Sequence, residues 1–224
     1  IALSIGAGST RTGGDVLISS GEISMNTGGS VSYMSGYGSS LSSGSIVVGS
    51  MNAGTAGVSG NFQFMTGTSS SGASGLISIT TGKSTGGKGG DILVSVGNTV
   101  TTDGGYIDMS AGNSVPLTGG AVSYATGFGI DTSSGVISVR TVDAGTTGVS
   151  GELSFVSGTT SSGSSGSITV GSGKSVAGKG GTIALSVGAG STGTGGDVLI
   201  SSGVSLDDNK AGGSVVVQSG TGSS

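Results

Sequence analysis

Two glycine-rich segments have the spacing of phosphate-binding loops, and both lack the structural context that this chemistry needs. The segment Gly188-Ala-Gly-Ser-Thr-Gly193 matches the glycine pattern that holds a dinucleotide pyrophosphate. That pattern requires a helix directly after it, whereas residues 194–198 lead into a predicted strand. Lys83 and Ser84 resemble the end of a phosphate loop, but Ile77 stands where the leading glycine belongs. We therefore predict that the chain binds no cofactor.

Two pairs of carboxylates are the candidates for polysaccharide cleavage, which requires two carboxylates that face one cleft. Asp103 lies near Asp108 in the sequence, and Asp131 lies near Asp143. Their predicted places differ between a corner, a strand face and return segments, so we interpret them as dispersed solvating charge. The chain has no histidine, so its many serines lack the usual base that activates a serine nucleophile. We expect no catalytic residue.

Metal ions have few ligands in this sequence. Without histidine and cysteine, zinc and copper sites lose their usual ligands. Asp15, Asp91 and Asp197 each end a repeat unit, but a calcium-binding solenoid repeats its aspartate in every turn. We expect carboxylates of this kind to balance Lys88 or Lys179, and we predict no metal site.

The overall composition excludes several classes of protein. The chain has 52 glycines but one proline, and its glycines do not recur at every third residue, so it is not collagen. Only 8% of residues are charged and the mean hydropathy is +0.29, which is unlike a disordered chain. The net charge of −4 comes without a basic stripe, so we predict no nucleic-acid partner. No apolar run approaches the roughly 18 residues of a membrane span.

The sequence repeats itself at two levels. The segment that opens at Ile1 returns at Ile183, and an intermediate copy opens at Ile92, which gives a long period of 91 residues. Within each long copy, short units follow at steps of 15, 15, 15, 16, 15 and 15 residues. The units start at residues 1, 16, 31, 46, 62, 77, 92, 107, 122, 137, 153, 168, 183, 198 and 215. The predicted domain organisation is one continuous β-solenoid segment, 1–224, with super-repeats 1–91, 92–182 and a partial 183–224, within a longer chain.

Apolar residues alternate with other residues at the start of every unit. Position one is always aliphatic or Phe, and position three is apolar apart from the hydroxyl ends of two tyrosines, whereas position two includes Ser32 and Gln63. This period of two is typical of a strand with one buried face. The predicted structural core comprises Ile1, Leu3, Val16, Ile18, Val31, Tyr33, Ile46, Val48, Phe62, Phe64, Ile77, Ile79, Ile92, Val94, Tyr124 and Phe155.

Glycine marks two fixed places in the unit. It occupies position six of most units and the next-to-last position of all fourteen complete units. A tight turn often needs a positive φ, which glycine adopts readily. The predicted corner glycines at the next-to-last position are Gly14, Gly29, Gly44, Gly60, Gly75 and Gly90.

A strand, a glycine corner, a polar return and a second glycine corner together predict one coil of a solenoid. The fold expected from the sequence is all-β, a parallel β-solenoid (β-helix) with about 15 residues per coil and a 91-residue, six-coil super-repeat. One coil has too few apolar residues to be stable alone, so we expect coils to stack with like residues above like.

Two segments carry a resemblance to known proteins. Gly13-Gly-Asp-Val-Leu-Ile-Ser-Ser-Gly21 and Gly87-Lys-Gly-Gly-Asp-Ile-Leu-Val-Ser95 resemble the repeats of large secreted β-helical adhesins. They look even more like the giant Gly/Ser/Thr-rich repeat proteins of diatoms and related algae. The resemblance covers the whole chain. It implies a solenoid fold, an extracellular or cell-surface location, and a role in fibres, sheaths or adhesion without a catalytic motif.

Several position-two residues are apolar although they are predicted to point outward, which favours lateral contacts between copies. These residues are Leu17, Val47, Leu93, Leu199 and Val216. We expect a non-catalytic structural repeat protein that forms an extracellular fibre, sheath or surface appendage. Its expected partners are copies of itself, with polysaccharide or mineral surfaces as further candidates for its hydroxyl-rich corners. A polysaccharide-binding or polysaccharide-cleaving β-helix and an ice-binding solenoid remain the alternatives.

Overall fold

The computed structural model describes Leu3 and residues 14–24, 26–115 and 117–222. The chain divides into two compact regions, Ile1–Met109 and Ser110–Ser224. The boundary falls inside the short unit that starts at Ile107, so this division does not follow the 91-residue super-repeats.

The prediction of an all-β parallel β-solenoid, or β-helix, is wrong. Within the described ranges the chain has neither a helix nor a β-strand, and it consists of irregular coil interrupted by bends. A solenoid would hold equivalent residues of successive units about 4.8 Å apart. Here most close approaches between Cα atoms join residues fewer than 12 positions apart. The described ranges therefore lack the regular ladder of strands that would join successive coils of a solenoid.

No helix among the described residues is long and apolar enough to cross a bilayer.

The chain bends once in every short unit of the described ranges. Most bends occupy positions nine to eleven of their unit, within the polar stretch that the sequence marks as a return. In the 16-residue unit that starts at Ile137 the bend begins one residue later, so the extra residue lies in the loop. The bends lie at 24 and 26, 39–41, 55–56, 70–72, 85–87, 100–102, 115 and 117, 130–132, 146–148, 161–163, 176–178, 191–193 and 207–210.

Each bend belongs to a loop whose two ends meet. We call this meeting point the neck: the side chain at position five lies against the glycine at the next-to-last position of the same unit. A Cβ atom added to that glycine would lie 2.8–3.6 Å from the position-five side chain. The described necks are Ser20–Gly29, Ser35–Gly44, Ser50–Gly60, Thr66–Gly75, Thr81–Gly90, Val96–Gly105, Ala111–Gly120, Thr126–Gly135, Thr141–Gly151, Ser157–Gly166, Ser172–Gly181, Val187–Gly196 and Ser202–Gly213.

Backbone hydrogen bonds close several necks. The Gly29 N–H donates to the Gly21 carbonyl at 3.0 Å, and the Gly135 N–H donates to the Gly127 carbonyl at 3.3 Å. In the unit with two extra residues the same pair is ten residues apart, and the Gly213 N–H still reaches the Gly203 carbonyl at 2.9 Å. Loops of different length therefore close at the equivalent pair of glycines in their own units.

The predicted core side chains are not buried. No side chain among the described residues is buried. The predicted core residues expose between 46% and 76% of their surface. Ile1 lies outside the described residues. The predicted core residues that the structure leaves exposed are Leu3, Val16, Ile18, Val31, Tyr33, Ile46, Val48, Phe62, Phe64, Ile77, Ile79, Ile92, Val94, Tyr124 and Phe155.

The missing core follows from the way each unit closes. A neck joins a Ser, Thr, Ala or Val side chain to a glycine, so it covers little apolar surface. The described side chains at positions one and three stay about half exposed or more, so they form no buried core within the described ranges. The predicted alternation nevertheless remains as a difference in exposure. Side chains at position one are about half exposed, whereas the apolar side chains at position two are almost fully exposed.

Candidate functional site

The corner glycines lie at necks and not at bends. Gly75 approaches Thr66, and an added Cβ would lie 3.1 Å from Thr66 Cγ2. In the described chain a positive φ occurs at Gly148, Gly163 and Gly193 only, and each of these ends a bend. The expectation of a positive φ at the next-to-last glycine is therefore wrong for the described necks. Close approach between two segments explains the glycine there. The predicted corner glycines at described necks are Gly29, Gly44, Gly60, Gly75 and Gly90, while the loop that precedes Gly14 lies outside the described residues.

One class of loop is closed by a hydroxyl at position eight, directly before the bend. Ser84 Oγ accepts a hydrogen bond from the Gly87 N–H at 3.1 Å. Thr160 Oγ1 donates to the Ser162 carbonyl at 3.0 Å and lies 3.3 Å from the Ser162 nitrogen, whose N–H it accepts. Such side chains bond nearby backbone groups and stabilise turns. The hydroxyl-closed loops are those of Ser84, Thr99, Thr160 and Ser205.

In a second class of loop, formed at Gly38 and Gly129 in position eight, two backbone segments approach one another directly. A Cβ at Gly38 would lie 2.5 Å from the Ser42 carbonyl oxygen, and one at Gly129 would lie 2.7 Å from the Ser133 carbonyl oxygen. No side chain fits in that space without moving the backbone. The sequence signal was the choice of glycine or hydroxyl at position eight, which our sequence analysis did not use.

All four carboxylates that we considered for hydrolysis are exposed, namely Asp103, Asp108, Asp131 and Asp143. Within the described part of the chain no three His, Cys, Asp or Glu side chains come close enough to hold a metal ion.

The expectation that a carboxylate of this kind balances Lys88 or Lys179 is confirmed at Lys88, where the partner is Asp91. Lys88 Nζ donates a hydrogen bond to Asp91 Oδ2 at 2.9 Å. Both side chains are largely exposed, so the pair contributes at most about 1 kcal/mol to the local structure.

The remaining concave features are shallow. The glycine pattern at 188–193 includes the bend at 191–193, and the described residues that follow it form no helix. An open depression of about 230 Å³ is lined by Arg140, Thr141, Val142 and Asp143, four consecutive residues of one unit. A depression formed by a single short segment offers a ligand contacts on one side only.

The largest potential binding surface is the exposed apolar surface itself. The residues predicted to make lateral contacts are 77–90% exposed. Together with the half-exposed residues at position one, they give most units apolar groups that water surrounds. The predicted lateral residues with this exposure are Leu17, Val47, Leu93, Leu199 and Val216.

One stretch of this surface carries no charge. Residues 23–82, which we call the uncharged segment, contain no Asp, Glu, Lys or Arg. Near its middle, the rings of Phe62 and Phe64 pack edge to face, with centroids 4.6 Å apart and planes at 88°. Our sequence analysis assigned both rings to the core. It missed the uncharged segment, although the amino-acid sequence shows this segment directly.

Comparisons with protein families, with curated proteins and with solved structures find no match to this chain. Function is therefore inferred from the necks, the bends and the exposed apolar side chains.

Proposed function

We propose that this chain is a non-catalytic structural repeat protein of an extracellular fibre, sheath or surface appendage, and that copies assemble by lateral packing of their exposed apolar side chains. The role requires no stacked coils. It requires exposed apolar side chains that recur along the chain, because burying them against another molecule is favourable. The units provide such side chains at regular intervals.

The accessible surface area carries the proposal. The chain exposes 22263 Å² for a mass of 20.7 kDa, whereas a compact monomer of this mass exposes about 8,900 Å². A standard specific interface buries about 1,600 Å² in total. The excess exposed area is therefore several times larger than one interface needs. Because much of this area is apolar and recurs in most units, association with other molecules stabilises the chain more than any contact within it.

Charge supports the same proposal. A net charge of −4 over 224 residues gives weak repulsion between copies. Lys88 and Asp91 already neutralise one another within their unit. Copies of this chain therefore approach without a large electrostatic penalty.

The extracellular location is part of the proposal and is supported by the resemblance of the Gly/Ser-rich units to secreted repeat proteins. The hydroxyls at the bends are exposed, as hydrogen bonding to a wall polysaccharide or to neighbouring copies requires.

Sedimentation velocity over a wide range of protein concentration, with electron microscopy of the same samples, tests the assembly role. We expect concentration-dependent growth into elongated particles. A chain that stays monomeric at all concentrations would refute assembly by lateral packing. Immunogold labelling of intact producing cells tests the location, and labelling confined to the cell interior would refute that part.

A further inference from the structure

The two super-repeats differ in charge over the same six-unit pattern. The uncharged segment, residues 23–82, has its equivalent 91 residues later at 114–173. That equivalent carries Asp131, Arg140, Asp143 and Glu152. Covering a charge without a partner is unfavourable, whereas covering uncharged apolar surface is favourable. The first super-repeat is therefore the better surface for a protein partner.

The aromatic pair gives this surface an anchor. Phe62 and Phe64 stand at positions one and three of their unit, and their rings pack edge to face. They are 49% and 72% exposed, so both rings have area left to cover. The equivalent unit of the second super-repeat has Leu153 before Phe155 and thus lacks a ring at position one. Aromatic side chains that are already ordered lose little entropy when a partner covers them.

The recurrence of apolar residues along the segment favours a second copy of this chain as the partner. Position-one residues of the uncharged segment recur after 15 residues at Val31 and Ile46 and after 16 at Phe62. A partner that covers several of them at once must present apolar groups at the same spacing, and this chain does so. We infer that the uncharged segment pairs with the uncharged segment of a second copy, with Phe62 and Phe64 as the anchor. This inference rests on the proposed function and names the surface through which assembly begins.

The first arm of the experiment adds a charge to the surface of the full chain. Val47→Lys places a cation at position two within the uncharged segment, and Ser138→Lys places one at the equivalent position of the second super-repeat. Both positions are exposed, so neither change disturbs a packed interior. Because an ammonium group in the contact must lose water, we expect Val47→Lys to weaken association at least about tenfold and Ser138→Lys less than about twofold. Equal effects of the two variants would overturn the inference.

The second arm exchanges the anchor between the super-repeats. Phe62→Leu gives the first super-repeat the Leu and Phe pattern of the second, and Leu153→Phe does the reverse. We expect Phe62→Leu to weaken association about two- to tenfold, the range that corresponds to one aromatic pair. Leu153→Phe should leave association unchanged or strengthen it slightly. Unchanged association of the Phe62→Leu chain would overturn the role of the aromatic pair.

A polysaccharide is the other class of molecule that stacks on exposed rings, so a soluble β-glucan serves as the competing probe. Isotope-filtered NOEs between Phe rings of labelled and unlabelled copies should appear in wild-type mixtures. Ring shifts caused by the glucan, without intermolecular Phe–Phe NOEs, would overturn pairing between copies. A wild-type chain that does not associate at all refutes the proposed function as well, whereas association that is insensitive to Val47→Lys and Phe62→Leu refutes this inference alone.

Discussion

Two loops of the second compact region close by different means although their bends occupy the same positions of the unit. At the bend 130–132, Gly129 lets two backbone segments approach so closely that a Cβ would lie 2.7 Å from the Ser133 carbonyl oxygen. At the bend 161–163, the Thr160 hydroxyl bridges the turn through its bonds to Ser162. One solution depends on the absence of a side chain and the other depends on its presence.

The difference shows how the repeat tolerates variation. These two units have the same length and bend at the same positions, but they close the bend with different residues at position eight. A glycine-closed bend should be intolerant of any side chain, and a hydroxyl-closed bend should lose only a hydrogen bond when its side chain is removed.

The largest expected effect is that of Gly129→Ala. The added methyl group meets backbone oxygens, which cannot rotate away, so the closed loop should be destabilised by about 1–3 kcal/mol. The matched control is Gly127→Ala, where an added Cβ has no atom within 4 Å. NOEs between residues 129 and 133 should disappear in the first variant and persist in the second. Their survival in the Gly129→Ala chain would break the comparison.

A smaller effect is expected at a neck, where the neighbour of glycine is a side chain. In Gly75→Val the new Cβ lies 3.1 Å from Thr66 Cγ2, and rotation of Thr66 relieves part of the clash. We expect a loss of about 1 kcal/mol, measured through the NOE between the Thr66 γ-methyl and residue 75. Gly67→Val is the control, because nothing lies within 4 Å of an added Cβ there. Adding Thr66→Ser, which removes the methyl group, should restore part of the loss, followed through NOEs between the β-protons of residue 66 and residue 75. No restoration would mean that the neck contact is not the cause.

At the hydroxyl-closed bend, Thr160→Ala should remove the bonds to Ser162 and leave the backbone path intact. A single exposed hydrogen bond contributes about 0.5–1 kcal/mol. Exchange of the Ser162 amide hydrogen should therefore accelerate about two- to fivefold, whereas Thr159→Ala should leave it unchanged. An effect as large as that of Gly129→Ala would show that both kinds of bend depend equally on their position-eight residue.

The smallest effect should come from the ion pair outside the bends. Asp91→Asn removes the partner of Lys88 Nζ, but both side chains are mostly in water. We expect a change below about 0.5 kcal/mol that vanishes at high salt. Chemical shifts around Lys88, titrated with NaCl in both chains, measure it. A shift difference that persists in 1 M salt would indicate a structural role that the exposed geometry does not explain.

The sequence predicted the local pattern of this chain better than its long-range order. The bends recur with the spacing of the units, although they lie in the polar return and not at the predicted glycine corners. A carboxylate balances Lys88, as expected. The alternation at positions one to three identifies side chains that share a face. It does not identify which residues cover that face. We expected the neighbouring units to bury these side chains, and that prediction was wrong.

The reason lies in the balance between local and distant contacts. A neck needs only one small residue and one glycine about nine positions apart, so its loop costs little entropy to close. A solenoid also needs each unit to order its glycine-rich backbone against a neighbour, and glycine loses more conformational freedom than any other residue. Two apolar side chains per unit do not offset that loss here. The aromatic pair and the uncharged segment were visible in the sequence, but only their exposure in the structure makes them a candidate surface.

The necks also determine how the chain responds to a pulling force. Between Gly21 and Gly29 the backbone leaves and returns to nearly the same point, held there by a hydrogen bond of 3.0 Å. Opening this neck releases roughly 20–25 Å of backbone, the extended length of eight residues less the width of the neck. A loop of this kind therefore adds extended backbone length when the weak contacts at its neck break. In the fibre that we propose, such openings would lengthen each chain in small steps, and single-molecule stretching should record increments of that size.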